Sequence, residues 1–302
     1  MRRPVTLLSL LFAGPALLGF APAPHAVTAP PAATEVRVLT YNICGASCPD
    51  SQGYDNRRRL DVVVDEAVGA RWKADQVHLQ ELCRGQYDEL VNRLGPHGFT
   101  GHFTTTEGNR ASCENKDYGV GVLVRGTVRD TRVLDLTQGG EKEKIKVPCV
   151  RSVLRGHDNW ACSVHLYWNE KEIREGEARR LGRQARAWQH QGTPVVLAGD
   201  FNASPLAREM GEFYTPEAGG GHGRFVEGDE RDKRYFDRRA CDPAQHTRCR
   251  SGEPTFQRKK IDYVFFSDGD FRNVKADVRK QDREVSDHRL LSATATWTKP
   301  GS

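Results

Sequence analysis

Several features that would point to other classes of protein are missing from this sequence. It has no Cys-x-x-Cys pair, no internal repeat, no low-complexity linker and, beyond Phe20, no apolar run of about 20 residues. The missing cysteine pairs argue against structural zinc, and the missing apolar runs argue against a membrane-spanning helix in the body of the chain. Neither sign of charge dominates, since 45 basic and 40 acidic residues give a net charge of +5. Such a small excess predicts little about partners.

The N-terminus has the pattern of a secretory signal peptide. Arg2 and Arg3 precede an apolar stretch from Val5 to Phe20, and small residues up to Ala29 offer cleavage sites. We therefore predict a signal peptide over residues 1–29, a secreted protein, and a single domain over residues 30–302. A retained membrane anchor is the alternative, but the stretch is short for a span, so we expect no stable membrane insertion after cleavage.

The eight cysteines predict disulfide bonds, because an even number of cysteines in an exported chain is typical of a disulfide framework. Sequence alone permits 105 complete pairings. A turn predicted at Arg155–Asp158 would place Cys149 nearly opposite Cys162, and Cys241 with Cys249 would close a short loop. Cys44 with Cys48 and Cys83 with Cys113 would use the remaining four.

Hydrophobic periodicity predicts more strands than helices. Helical spacing runs from Leu60 to Val68, from Tyr87 to Leu94 and from Glu170 to Gln189, where the charged positions are most simply a solvated face. Strands are predicted at Glu35–Asn42, Gln76–Leu82, Phe99–Thr105, Tyr118–Val124, Lys146–Leu154, Trp160–Leu166, Pro194–Ala198, Ile261–Phe266 and Leu290–Trp297. This order suits an α+β fold, a four-layer α/β/β/α sandwich of two mainly antiparallel sheets.

Polar residues follow several of the apolar strands. Asp200 and Asn202 come directly after the strand that ends at Ala198, where they could hold a water and a phosphoryl oxygen or simply form an Asx turn. Glu81 and Asn42 end two other strands, and His165 lies within a fourth, where a satisfied core histidine is the alternative.

An aspartate and a histidine near the C-terminus form a second candidate pair. Asp262 is flanked by apolar residues, so its carboxylate needs a partner. His288, which follows Asp287 in a loop, could be that partner, and the carboxylate would then raise the pKa of the imidazole. The alternatives are a backbone hydrogen bond for Asp262 and an exposed loop for Asp287 and His288.

Together these motifs resemble the endonuclease/exonuclease/phosphatase superfamily, which includes DNase I-like nucleases, abasic-site endonucleases, sphingomyelinases and inositol-phosphate phosphatases. The blocks TYN, QEL, SVHL, GDFN, IDYVFFS and SDH occur in the order that the family has, from about Val36 to Trp297. The resemblance implies the DNase I-like fold and hydrolysis of a phosphate ester with Mg²⁺, for which Mn²⁺ and Ca²⁺ are alternatives.

The resemblance also implies a role for each site residue. Glu81 would be the principal metal ligand, with Asn42 and Asp287 near the ion. Asp200 and Asn202 would position the water, His165 would lie beside the scissile phosphate, and His288 would be a second catalytic histidine oriented by Asp262. Arg151 and Tyr118 are candidate phosphate contacts. Two family features are not evident: Ile43 stands where several nucleases have an acid, and only Asp117 offers itself as a partner for His165.

The segment from Gly219 to Lys260 is the most distinctive part of the chain. It carries eleven basic and seven acidic residues, with Tyr235, Phe236 and Phe256 among them. Such a loop beside a phosphodiesterase cleft would follow a nucleic-acid backbone, although a solvated, disulfide-clipped loop is the alternative. We therefore predict a monomeric nuclease that acts on DNA. The alternatives are a sphingomyelinase-type lipid phosphodiesterase, a small-molecule phosphatase and a catalytically inactive binding protein.

Overall fold

Two six-stranded sheets form the centre of the protein. The computed structural model describes residues 35–46, 48, 53–69 and 72–301, so the predicted signal peptide lies outside the described residues. The strands are β1 (Glu35–Asn42), β2 (Gln76–Cys83), β3 (Phe99–Arg110), β4 (Lys116–Arg125), β5 (Thr127–Asp135), β6 (Lys146–Leu154), β7 (His157–His165), β8 (Val195–Asp200), β9 (Phe225–Glu227), β10 (Asp262–Ser267), β11 (Phe271–Val278) and β12 (Leu291–Trp297). The helices are α1 (Arg58–Val68), α2 (Arg84–Leu94) and α3 (Lys171–His190), joined by short 3-10 turns.

The strand order confirms a sandwich of mainly antiparallel sheets. The first sheet runs β11-β12-β1-β2-β4-β3 and the second runs β5-β6-β7-β8-β10-β9. Each sheet contains one parallel pair, β1 with β2 and β7 with β8. These pairs are the ones joined through a helix, because a parallel connection needs a crossover whereas a hairpin makes neighbours antiparallel. No helix of the described residues is long and apolar enough to cross a bilayer.

Alternation along the strands assigns one face of each sheet to the helices and the other to the opposite sheet. Leu39, Val77 and Leu79 pack with α1 and α2 outside the first sheet, and Trp160 stacks on Trp188 of α3 outside the second. The inner faces meet in an apolar cluster that includes Val36, Val38, Val196, Ala198, Val264 and Phe266. The alternate positions on β1 and β8 therefore continue inward to Asn42 and Asp200.

The four predicted cysteine pairs are confirmed. Disulfides join Cys44 to Cys48, Cys83 to Cys113, Cys149 to Cys162 and Cys241 to Cys249. Cys149 lies directly opposite Cys162 in the β6–β7 hairpin. The turn is tighter than predicted, because only Arg155 and Gly156 separate the strands, with φ angles of 50° and 83°. Positive φ at both positions gives the twist that two-residue hairpins favour.

Gly199 has a different role from the tight turn that its sequence context suggests. It lies within β8 opposite Val164 of β7, with a φ of 151°. A Cβ atom at this position would come within 1.9 Å of the Val164 carbonyl oxygen. Glycine is required here because the two backbones approach closely, and this approach brings the ends of β7 and β8 together.

We predict that Gly199→Ala lowers the free energy of unfolding by at least about 2 kcal/mol, because the clash is with backbone that cannot rotate away. Chemical denaturation followed by circular dichroism measures the change. Gly95→Ala is the matched control, since Gly95 has a helical φ of −53° and open space around its Cα. Equal stability of both variants would contradict this account of Gly199.

Candidate active site

The inner faces of the two sheets open into a cleft of about 630 Å³. β1 ends at Asn42 and β7 at His165, while Asp200 at the end of β8 pairs with Asp262 at the start of β10. Each of these side chains belongs to the inward-facing set of its strand. His288 enters from the loop before β12 and completes the group.

Glu81 reaches the same cleft through an irregularity in β2. Strict alternation would point it outward with Val77 and Leu79, towards the helices. Instead the pairing of β2 with β4 shifts its register between Leu79 and Leu82, and Glu81 has a φ of 57°. This bulge turns the carboxylate inward, where Glu81 Oε1 accepts a hydrogen bond from Asn42 Nδ2 at 2.8 Å. Bulges and left-handed backbone commonly occur beside active sites for this purpose.

His288 is held by its own loop and by β10. Ser286 Oγ donates to the Asn42 carbonyl at 2.7 Å, and the backbone N–H of His288 donates to Ser286 Oγ at 3.1 Å. The imidazole Nδ1 lies 2.9 Å from Asp262 Oδ2. Burial by itself would lower the pKa of His288, but the carboxylates, Asp262 foremost, outweigh it and raise the pKa to about 10. The imidazole is therefore cationic at neutral pH.

Asp200 faces this imidazolium. Its Oδ2 lies 3.7 Å from His288 Nε2 and accepts from Asn42 Nδ2 at 3.3 Å, while Oδ1 accepts from the backbone N–H of Asn202 at 2.8 Å. Burial, followed by repulsion from Asp262, raises the pKa of Asp200 to about 6. A carboxylate with a pKa close to neutrality is suited to accepting a proton from water.

His165 lies on the other side of Asp200. Its Nε2 is 3.8 Å from Glu81 Oε1 and 3.9 Å from Asp200 Oδ2. Burial alone would lower the pKa of His165, but Asp200 and Glu81 raise it overall, with a further contribution from Glu143. Asp117 does not serve as its partner, because Asp117 Oδ2 accepts a hydrogen bond from Thr105 instead.

The sequence comparison decides the family. A sequence model of the Endonuclease/Exonuclease/phosphatase family matches residues 39–288, most of the chain and all of the blocks named above. The chain belongs to this family. Members of the family are phosphoric ester hydrolases, and so is this protein. Comparison with curated protein sequences found no significant match.

Solved structures with low sequence identity share the fold. The human Nocturnin catalytic domain with bound sulfate anion has a TM-score of 0.65 and 17% identity, covering 88% of this chain and 94% of that chain. The endonuclease/exonuclease/phosphatase from Beutenbergia cavernae DSM 12333 has a TM-score of 0.60 and 22% identity, covering 87% and 72%. TDP2 from C. elegans has a TM-score of 0.57 and 17% identity, covering 87% and 75%.

Of three further residues that the family resemblance implicates, Asn202 and Asp287 lie at the cleft, whereas Tyr118 is buried and does not line it. Asn202 has a left-handed φ of 51°, and its Nδ2 donates to the Leu166 carbonyl at 2.9 Å. The Asx turn is present as well, because Asp200 Oδ1 accepts from the backbone N–H of Asn202, and Asn202 still lines the cleft. Asp287 lines it too, and burial raises its pKa. Tyr118 is buried beside Glu81 and forms a side-chain hydrogen bond with it, so Tyr118 lies behind the Glu81 carboxylate.

Arg151 is the exception, and its placement corrects the expectation of a phosphate contact. It pairs directly with Trp160, whose ring packs on α3, so Arg151 points to the outer face of the second sheet. There its guanidinium binds Asp158, with the closest contact at 2.6 Å. A strand residue that is an odd number of positions from the inward set cannot reach the inner cleft.

Sequence reasoning missed an arginine at this site. Arg174 of α3 lines the cleft, although only 11% of its side chain is exposed. Its Nε donates to Glu209 Oε1 at 2.8 Å. The charged pattern of α3 reads as a solvated face, and no local signal in the sequence separates Arg174 from its neighbours. Arg174 is the arginine among the described residues that line the cleft.

The donor set fits a divalent cation, as used by family members. Glu81, Asp200 and Asp287 bring three carboxylates to one cleft, and burial, with repulsion from Asp262, raises the pKa of both Asp200 and Asp287. A hard cation would offset this repulsion, and Mg²⁺ needs only one or two carboxylates because it keeps several waters. Glu81, with Asn42 and Asp287, would hold it.

We predict that Asp262→Asn lowers the pKa of His288 from about 10 towards the ordinary value of about 6.5, because the main opposing charge is lost while burial remains. Histidine ¹⁵N chemical shifts measured against pH report this change. Below the ordinary pKa both proteins carry a protonated His288, so the difference appears only as the pH rises above neutrality. Asp158→Asn on the outer face is the control, and a His288 pKa that does not change in Asp262→Asn would contradict the assignment.

We further predict that Glu81→Gln weakens Mg²⁺ or Mn²⁺ binding by at least about tenfold, because an amide replaces the principal charged ligand. Calorimetric titration of metal-free protein measures this without turnover. Asp117→Asn removes a carboxylate bound to Thr105 away from the cleft and should keep the affinity. A loss in Asp117→Asn equal to that in Glu81→Gln would contradict the metal assignment.

Proposed function

We propose that this protein is an exported, divalent-metal-dependent phosphodiesterase that hydrolyses DNA through in-line attack of an activated water. The observation that carries the proposal is geometric. Asp200 Oδ2 lies 3.7 Å from His288 Nε2, and Asn42 Nδ2 donates to both Asp200 and Glu81. A carboxylate that can accept a proton and a carboxylate that can hold a cation therefore lie next to each other in one cleft. Export is supported by the four disulfides, which persist in oxidising compartments.

The position of each cleft residue suggests its role in hydrolysis. Asp200, held by the Asn202 backbone, orients the water and takes its proton. His288, kept protonated by Asp262, donates a hydrogen bond to a phosphoryl oxygen, and His165 lies where it can contact the phosphoryl group or the leaving oxygen. A divalent ion bound at Glu81 would supply charge neutralisation at the phosphoryl oxygens.

The segment from Gly219 to Lys260, here called the basic loop, supports a nucleic-acid substrate, although some of its cations have partners within the protein. Arg248 binds Glu230, Arg250 donates to backbone carbonyls, and Lys260 binds Glu227 and Asp229 in the interior. These three cations stabilise the loop itself, as the alternative interpretation held.

Other cations of the loop are exposed along the cleft. Lys259 lines the catalytic cleft and also a second groove of about 360 Å³, which Arg258 and Tyr235 line as well. Ser204 is shared by both cavities in the same way. The second groove therefore adjoins the catalytic cleft at Lys259 and Ser204, and it could bind a phosphodiester backbone beyond the scissile bond.

Incubation of the mature protein with plasmid DNA, single-stranded DNA, RNA, sphingomyelin and inositol phosphates, in Mg²⁺ and in EDTA, tests the proposal. We expect DNA cleavage that requires Mg²⁺, and a fall in kcat of about 10²–10⁴-fold in both Asp200→Ala and His288→Ala, since general acid–base groups contribute about that much. Arg151→Ala is the matched control on the outer face and should retain activity.

Two outcomes would contradict different parts of the proposal. Hydrolysis of sphingomyelin alone would overturn the substrate and keep the chemistry. Near-native turnover of both Asp200→Ala and His288→Ala would overturn the mechanism.

A further inference from the structure

Trp168 is a large aromatic residue exposed at the rim of the catalytic cleft. Of its surface, 54% is accessible, and in the part of the chain that the structure describes only two other large hydrophobic side chains, Val133 and Leu206, are comparably exposed. Trp168 follows His165 by three residues and lines the same cleft. An exposed aromatic at a functional cleft is a candidate contact for a ligand.

The exposure of Trp168 is built into the fold. The neighbouring Tyr167 is buried, and its backbone N–H donates to the buried Glu177 Oε2 at 2.9 Å. Arg174 Nη1 donates to the Tyr167 carbonyl at 3.1 Å, and Glu209 in turn holds Arg174. The backbone next to Trp168 is therefore held on both sides, which restricts the region that the indole ring can occupy.

Cations lie on both sides of this ring. Lys142 Nζ lies 5.4 Å from the centroid of the Trp168 ring and lines a neighbouring groove of about 210 Å³, whereas Lys171 and Arg174 line the catalytic cleft with Trp168. A flat aromatic surface beside positive charges suits a ligand that has both a π-face and a phosphate. A nucleotide unit has both groups, whereas an inositol phosphate lacks the aromatic face.

We propose that Trp168 is a stacking platform for the nucleobase next to the scissile phosphate, with Lys171 of the same cleft facing the backbone of the substrate. This inference rests on the proposed function and identifies the nucleobase as the part of the substrate that Trp168 contacts. A base must leave its neighbours before it can stack on a side chain, so the site favours single-stranded or frayed ends over intact duplex.

The test compares Trp168→Ala and Trp168→Phe on two single-stranded oligonucleotides with Mg²⁺. One is a thymidylate 12-mer, and the other is a 12-mer backbone of tetrahydrofuran residues without bases. We expect Trp168→Ala to lower kcat/KM on the thymidylate strand by roughly 5- to 150-fold and to change the base-free strand little. Trp168→Phe should retain most of the activity, because the phenyl ring still stacks.

A binding measurement separates this inference from the proposed function. Titration of the protein with the thymidylate 12-mer in EDTA should quench tryptophan fluorescence in the native chain and much less in Trp168→Phe. Quenching without any cleavage of nucleic acid would refute the nuclease proposal and retain the stacking platform.

Three results would overturn the stacking platform itself. The first is that Trp168→Ala and the native protein have equal kcat/KM on the thymidylate strand. The second is that Trp168→Ala, with a native circular dichroism spectrum, loses activity equally on both strands. The third is that Trp168→Ala loses binding to sphingomyelin vesicles but keeps its binding to the oligonucleotide. If Trp168→Ala fails to fold, the Trp168→Phe quenching comparison still decides.

Discussion

The site depends on polar contacts that hold the two sheets in one register. Gln80 of β2 donates to Ser163 of β7 at 3.0 Å, and Gln76 donates to Asn159 at 2.8 Å. Apolar contacts alone would tolerate a small slide between two flat faces, whereas buried hydrogen bonds are lost if the faces move. Glu81 belongs to one sheet and His165 to the other, so these contacts fix the distance between the site residues that the two sheets contribute.

The site itself is assembled against local preference. Glu81 has a left-handed backbone, and Asp200 and Asp262 lie side by side in the interior. Each arrangement is unfavourable alone, and each persists because the surrounding sheets over-determine it. The imidazole of His288 neutralises part of the charge, and the remainder explains why an acid-rich cleft favours a cation. Strain and charge are thus concentrated where chemistry is proposed.

The sequence predicts the centre of this fold better than its edges. β8 and β10 are buried along their whole length and read as apolar strands, whereas β5 and β11 are edge strands with many exposed positions that the periodicity does not predict. Alternation also explains the errors at the site. Alternation places Arg151 on the outer face. It would place Glu81 there as well, but the bulge in β2 turns Glu81 inward, and no residue type in the sequence indicates that bulge. Family resemblance, rather than periodicity, identified Glu81.

Two of the disulfides brace the rim of the cleft. The Cys44–Cys48 bond closes the loop after Asn42, with Cys48 Sγ 3.2 Å from Asp287 Oδ1, and Cys83 is bonded only two residues after Glu81. Each of these two bonds therefore lies next to a proposed metal ligand. In a reducing compartment both bonds would be open, and the segments that carry Asn42, Glu81 and Asp287 would lose these covalent constraints. Under the proposed function, formation of these two bonds would brace the ligands only in an oxidising compartment, so the redox state of the surroundings would set where the enzyme is active.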